Sequence, residues 1–176
     1  MMNITRFNVR RTAALLALSL GIGLAAGVAL ADGLSLQPQQ MLPQYRQECA
    51  ACHLAYPPGM LPARSWSSIM AGLDRHYGTD ASLDAATVEQ IGKWLESNAG
   101  SYKRVSETPP DDRITRSAWF KRKHRELDVA VWRHASVRSA ANCAACHGRA
   151  EQGRFGEHEL RIPAGLPARY RQAFED

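Results

Sequence analysis

All four cysteines of this 176-residue chain lie in two copies of one pentapeptide, Cys49-Ala50-Ala51-Cys52-His53 and Cys143-Ala144-Ala145-Cys146-His147. C-x-x-C-H is the attachment signature of c-type haem. On a helix, positions i, i+3 and i+4 share one face. Two thiols one turn apart can then form thioethers to the two haem vinyl groups, and the adjacent histidine points at the iron from the same side. Three other chemistries use cysteines at this spacing. A disulfide or a thioredoxin-like redox pair needs only C-x-x-C, and the latter a βαβ setting that the chain does not show. A four-cysteine zinc site gives no reason for a histidine to follow both pairs. Chance produces C-x-x-C-H on the order of once in 10⁵ positions, so two copies that use every cysteine point to two covalent haems.

Each iron, held by His53 or His147, can take a second axial ligand that sets its potential and reactivity. His76, His124, His134 and His158 remain, with Met41, Met60 and Met70 as methionine candidates. His76 shares a helical register with Trp66, Ile69 and Leu73, which places an imidazole at the end of an apolar stripe. His124 shares one with Phe120, Leu127 and Val131. Met60 and Met70 are the rivals at the first haem and His134 at the second; His158 reads as a loop residue. Carbonyls of Pro57, Pro58 or Pro163 could accept from the proximal imidazoles and fix their orientation. The neighbours of His124, namely Lys121, Arg122, Lys123 and Arg125, form a basic face, either for solubility or for docking an acidic redox partner.

The elements that must carry these residues read as helices. Pro43 suits a first turn, and the first haem helix is expected over 44–52, broken by Pro57-Pro58-Gly59. Further helices are expected over 63–77 with Gly78 as the stop, over 83–98 opened by Ser82 or Asp84, over 117–130 and over 137–146. Residues 106–112 look like a linker, and the tail from Gly148 reads as loop with one last turn near Tyr170. No alternating strand pattern is visible, which predicts an all-α protein. Leu61-Pro62-Ala63-Arg64 recurs as Leu166-Pro167-Ala168-Arg169 at unequal offsets from the two motifs, so it is not a clean repeat. Arg64 and Arg169 could each cap a haem propionate.

Residues 1–11 are basic, Ala13 to Leu30 is an apolar run, and Ala29-Leu30-Ala31 supplies a small-x-small cleavage site. This is a signal peptide that predicts export to the periplasm with Asp32 as the mature N-terminus; an uncleaved anchor is the alternative. The leader takes Arg6, Arg10 and Arg11 out of the 22 basic residues and none of the 17 acidic ones. A nearly balanced chain remains, and the overall pI near 9.3 is no sign of nucleic-acid binding. Much of the apolar content leaves with the leader as well. The porphyrins then have to help fill the interior.

Several longer stretches carry a resemblance. Cys-Ala-Ala-Cys-His-Leu-Ala-Tyr-Pro-Pro-Gly (49–59), Leu-Pro-Ala-Arg-Ser-Trp (61–66) and His-Tyr-Gly-Thr-Asp-Ala-Ser-Leu (76–83) are followed by Trp-Phe-Lys-Arg-Lys-His (119–124) and Ser-Ala-Ala-Asn-Cys-Ala-Ala-Cys-His (139–147). Together they resemble the small periplasmic dihaem cytochromes c of bacteria. The resemblance implies a class I cytochrome c-like haem domain over 32–105, a small helical haem domain of its own kind over 106–176, and bis-histidine iron in both. His76 and His124 fall on the distal-ligand positions, pairing His53 with His76 and His147 with His124, although a crossed pairing stays open. Imidazole favours ferric iron more than a thioether does, so both potentials should be low. The expected function is electron transfer, without enzymatic activity, from a membrane b-type cytochrome or other quinol-linked donor to a soluble periplasmic haem protein or reductase. The competing function is a dihaem peroxidase or haem-based ligand sensor, which needs one open iron site.

Overall fold

In the computed structural model, which describes residues 40–101, 105 and 107–174, Pro43 opens helix α1 (Pro43–Cys49). The leader assigned to residues 1–31 lies outside the described residues. Helix α1 stops at Cys49 and not at residue 52, so Cys52 and His53 sit in the turn that follows. The two alanines would extend a helix by propensity. The tertiary fold overrides them, because the chain must turn to bury Ala55 and Pro57. Pro57 and Pro58 then hold the residues before them in extended backbone.

Helix α2 (Ala63–Ala71) also ends early, at Gly72 and not at Gly78, and a 3-10 turn (Leu73–Arg75) follows. Glycine is a poor helix former, and here it closes the helix one turn before the apolar stripe reaches His76. Helix α3 (Ala85–Ser97) matches its expected span. Asp84 caps it, accepting from the amides of Ala86 and Thr87 and from the Thr87 hydroxyl at 2.6 Å. Helices α2 and α3 pack on one another, and α1 packs on α3.

The helix expected over 117–130 is two short ones, α4 (Ala118–Lys123) and α5 (Val129–Arg133). Each has its own cap: Ser117 accepts from the Phe120 amide, and Asp128 accepts from the Ala130 amide. Asp128 is a start signal inside the supposed helix, and it wins. The helix expected over 137–146 is absent apart from a 3-10 turn at Cys143–Ala145. Local side-chain bonds compete there, with Asn142 donating to the Val137 carbonyl and Ser139 accepting from the Ala141 amide. The last turn expected near Tyr170 is present as Ala168–Tyr170. Among the described residues there are helices, 3-10 turns and two isolated bridges but no strand, as the all-α expectation requires. No helix among them is long and apolar enough to cross a membrane.

Asp32–Asp176 form one compact unit with two apolar clusters. The first buries Tyr45, Ala55, Leu61, Trp66, Met70, Ile91 and Leu95, and Ile114 packs against it from beyond residues 106–112. The second buries only Val131, Val137 and Leu166. The recurring Leu-Pro-Ala-Arg now has a packing meaning. Leu61 and Leu166 are each buried in one cluster, and Pro62 and Pro167 each cap the helical turn that follows.

Candidate functional site

The turn after α1 presents His53, and a tight turn after the 3-10 element presents His76. Tyr77 and Gly78 form the corner of that second turn, both at positive φ (50° and 99°), with His76 bridged to Thr79. Only glycine takes the 99° conformation without strain. Tyr77 is held in place by its hydroxyl, which donates to the Asp111 carbonyl at 3.1 Å, and by the Arg113 guanidinium 4.1 Å from its ring centre. The imidazole centres of His53 and His76 are 6.0 Å apart with ring planes 21° from parallel. Tyr56 stacks on His53 at 5.1 Å, and Tyr77 meets His76 edge-on at 4.8 Å.

The second pair is built from other parts. His124 closes α4, stacked on Phe120 at 4.0 Å and flanked by Trp132. His147 is held by a short backbone pairing: Gly148 donates to the Glu159 carbonyl and Arg161 to the Cys146 carbonyl, at 3.2 and 2.8 Å. Phe155 lies edge-on to it at 5.3 Å. The centres of His124 and His147 are 6.1 Å apart and their planes cross at 80°.

Both separations fit one metal between two rings. Metal–nitrogen bonds of about 2 Å place the nitrogens about 4 Å apart and the ring centres about 6 Å apart. Nδ1 of His53 lies 2.7 Å from the Leu54 carbonyl and Nδ1 of His124 lies 2.9 Å from the Phe120 carbonyl, which leaves Nε2 for a metal. Burial, then the facing His124, pushes His147 down to about 4; burial first also lowers His76 and His124. These three rings are therefore neutral at pH 7, the form that ligates. Among the described residues no group of three or more His, Cys, Asp or Glu could hold a metal ion by itself, which disposes of the four-cysteine zinc site. Burial pushes the Cys49 and Cys143 thiols up to about 11, the reverse of the lowered pKa of a redox pair. None of the four cysteines is in a disulfide. Two facing imidazole pairs, each including the histidine of a C-x-x-C-H motif, suit two haems and little else.

The family model for dihaem cytochrome c matches residues 45–155, across both motifs and all four facing histidines. The chain belongs to the dihaem cytochrome c family. It therefore carries two covalently attached haem c groups and is an electron-transfer haem protein. Two solved structures of dihaem cytochrome c from Rhodobacter sphaeroides are similar to it. One is 48% identical over 66% of this chain and 98% of its own, with a TM-score of 0.58. The other is 45% identical over 65% and 97%, also at 0.58. A dihaem cytochrome c from Shewanella baltica is 36% identical over 69% and 93%, with a TM-score of 0.61. No curated protein matches the chain.

The remaining candidates sit elsewhere in this dihaem cytochrome. Met70 is buried in the first core, Met60 is also buried, and Met41 packs against that core. The imidazole of His134 bonds the Ser136 hydroxyl at 2.8 Å at the end of α5, and His158 is exposed. The proline carbonyls do not face the proximal rings: Pro57 accepts from the Met60 amide, Pro58 from the Trp66 indole and Pro163 from the Leu166 amide. His53 uses the Leu54 carbonyl instead, while the buried Nδ1 of His147 has no protein partner. Arg64 is exposed on the first turn of α2, and Arg169 is exposed over the Tyr170 ring. Lys121, Arg122 and Lys123 are exposed on α4, with Lys123 near Glu157 at 3.4 Å and Arg125 near Glu126 at 3.2 Å. Sequence reasoning missed the aromatic neighbours Tyr56, Tyr77, Trp132 and Phe155. Tyr77 directly follows a histidine and Tyr56 closely follows the first motif, so adjacency was the one signal for either.

Proposed function

We propose that the protein is a periplasmic electron carrier whose two bis-histidine haems work at low potential between a membrane donor and a soluble acceptor. The observation that carries this reading is the facing of two imidazoles at each motif, 6.0 and 6.1 Å between centres. Cys49 and Cys52 hold one haem and Cys143 and Cys146 the other through thioethers. His53 and His76 would hold one iron between them, and His147 and His124 the other. A haem c closed in this way supplies one-electron transfer, with no coordination position left for a substrate.

The chain's own residues orient and shield. Tyr56 and Tyr77 flank one imidazole pair; Phe120, Trp132 and Phe155 flank the other. Arg64 and Arg169 are offered to propionates. The leader at residues 1–31 supports export, and a quinol-linked b-type cytochrome as donor with a periplasmic haem protein or reductase as acceptor follows from that compartment.

The test is an absorption spectrum of the reduced protein with and without carbon monoxide. The wild type should show no shift, whereas His76→Ala and His124→Ala should each open one of the two irons to the gas. A wild-type shift would overturn this reading in favour of a peroxidase or ligand sensor. An alanine variant that keeps the full low-spin spectrum would remove that histidine from the ligand set.

A further inference from the structure

Tyr56 touches both haem sites. Its backbone carbonyl accepts from the Tyr45 hydroxyl at 2.7 Å, which ties it to the first core, and Pro57 restricts its backbone to extended conformations. Its ring stacks on His53 with centres 5.1 Å apart and planes 28° from parallel. Its hydroxyl donates to the Ala141 carbonyl at 2.8 Å, a bond between residues 85 apart in sequence. That carbonyl also accepts from the Cys143 amide at 3.0 Å. From the histidine of the first motif to the first cysteine of the second there is thus one ring stack, one side-chain hydrogen bond and one peptide carbonyl.

We propose that Tyr56 is the positioning residue between the two haems: its ring seats His53, its hydroxyl pins the second C-x-x-C-H loop against the first, and the electron crosses at the separation this side chain sets. The inference rests on the electron-carrier reading above. The crossing moves one electron, oxidising one iron and reducing the other by one unit, and no bond or proton changes place. Phenylalanine has no hydroxyl to donate, so at this position it would leave the Ala141 carbonyl with its contacts to Cys143 and no link to the first motif.

Tyr56→Phe and Tyr56→Leu in the holoprotein separate the two contacts. The readout is the rate of electron exchange between the irons after photoreduction of half the haem, with the ferric paramagnetic resonance spectrum alongside. Phenylalanine keeps the ring, so the spectrum should stay as in the wild type. The exchange rate should fall about fivefold, the factor by which one net hydrogen bond biases the pinned loop. Leucine removes the stack as well, so the rate should fall further and the signal of the first site should change. Should leucine prevent folding, the phenylalanine variant alone decides. Wild-type exchange in Tyr56→Phe would overturn the proposal even where both irons stay closed to carbon monoxide; a wild-type carbon monoxide shift would instead sink the electron-carrier reading beneath it.

Discussion

The first imidazole pair is dressed by phenols and the second by two phenylalanines and an indole. His53 is exposed, His76 is half-buried, and the tyrosines beside them send their hydroxyls to backbone carbonyls. His124 and His147 are both half-buried, among Phe120, Trp132 and Phe155, and the His147 Nδ1 is sealed without a protein partner. The scaffolds behind the pairs differ in the opposite sense. The first pair stands on a cluster of seven buried residues and three packed helices, the second on a cluster of three, two short helices and 3-10 turns. A polar site on a strong core faces an apolar site on a weak one. The second site has to borrow its core from the cofactor, whose ring supplies the apolar surface that the chain lacks.

That difference can be broken by withholding haem. Burying one large apolar side chain returns about 1.5–3 kcal/mol. Ordering one residue's backbone costs about 1–2 kcal/mol, so the few buried apolar side chains of this region (Phe120, Val131, Val137, Cys146, Ala150 and Leu166) cannot order residues 117 to 174 without help. The chain made without haem attachment should keep slow amide exchange in α2 and α3 and lose it throughout α4 and α5. Equal protection of both regions would show that the second core stands unaided.

A smaller perturbation uses the equivalent leucines of the two Leu-Pro-Ala-Arg segments. Leu61 and Leu166 are each 1% exposed, and truncating a buried leucine to alanine costs about 2–5 kcal/mol. In the holoprotein Leu166→Ala should cost more than Leu61→Ala, because it removes one of the three residues of the second cluster and its neighbours have little else to close around. Guanidinium unfolding read separately at each haem absorption would check the order. A larger loss at the first site would mean that the porphyrin, and not Leu166, closes the second core.

These contrasts were only partly legible beforehand. The two C-x-x-C-H motifs are covalent chemistry written in five residues, and no fold is needed to see them. The helical stripes that point to His76 and His124 are not continuous in the protein: α2 closes at Gly72, and α4 stops at Lys123 before Asp128 opens a separate helix. Both residues still fall opposite the histidine of a motif. The stripe thus points to residues that face a motif histidine, although the helices that were to carry it end short of them. The failure of helix 137–146 has a different origin. Asn142 and Ser139 satisfy the backbone locally, and a reading of periodicity gives no weight to such bonds. The bridge from Tyr56 to Ala141 spans 85 positions and left no local trace at all.

The finest distinction between the sites is electronic. Low-dielectric surroundings that push His147 down to about 4 by burial disfavour positive charge, and ferric haem carries one more positive charge than ferrous. The second iron should therefore be easier to reduce. At the first site the exposed His53, with Nδ1 held 2.7 Å from the Leu54 carbonyl, would make a stronger donor to an iron that water could also stabilise as ferric. Ring orientation pushes the same way. With each iron held between its imidazole pair as proposed, planes 21° apart would split the iron d orbitals that overlap the rings, whereas planes crossed at 80° would leave them nearly degenerate. The two ferric irons should then give different paramagnetic resonance signals, a rhombic one from the first site and a strongly anisotropic one from the second. Following both through a redox titration reads each potential separately. The anisotropic signal should vanish first as the potential is lowered, with the rhombic one persisting some tens of millivolts further; the reverse order would mean that exposure and ligand bonding do not govern which haem holds its electron more weakly.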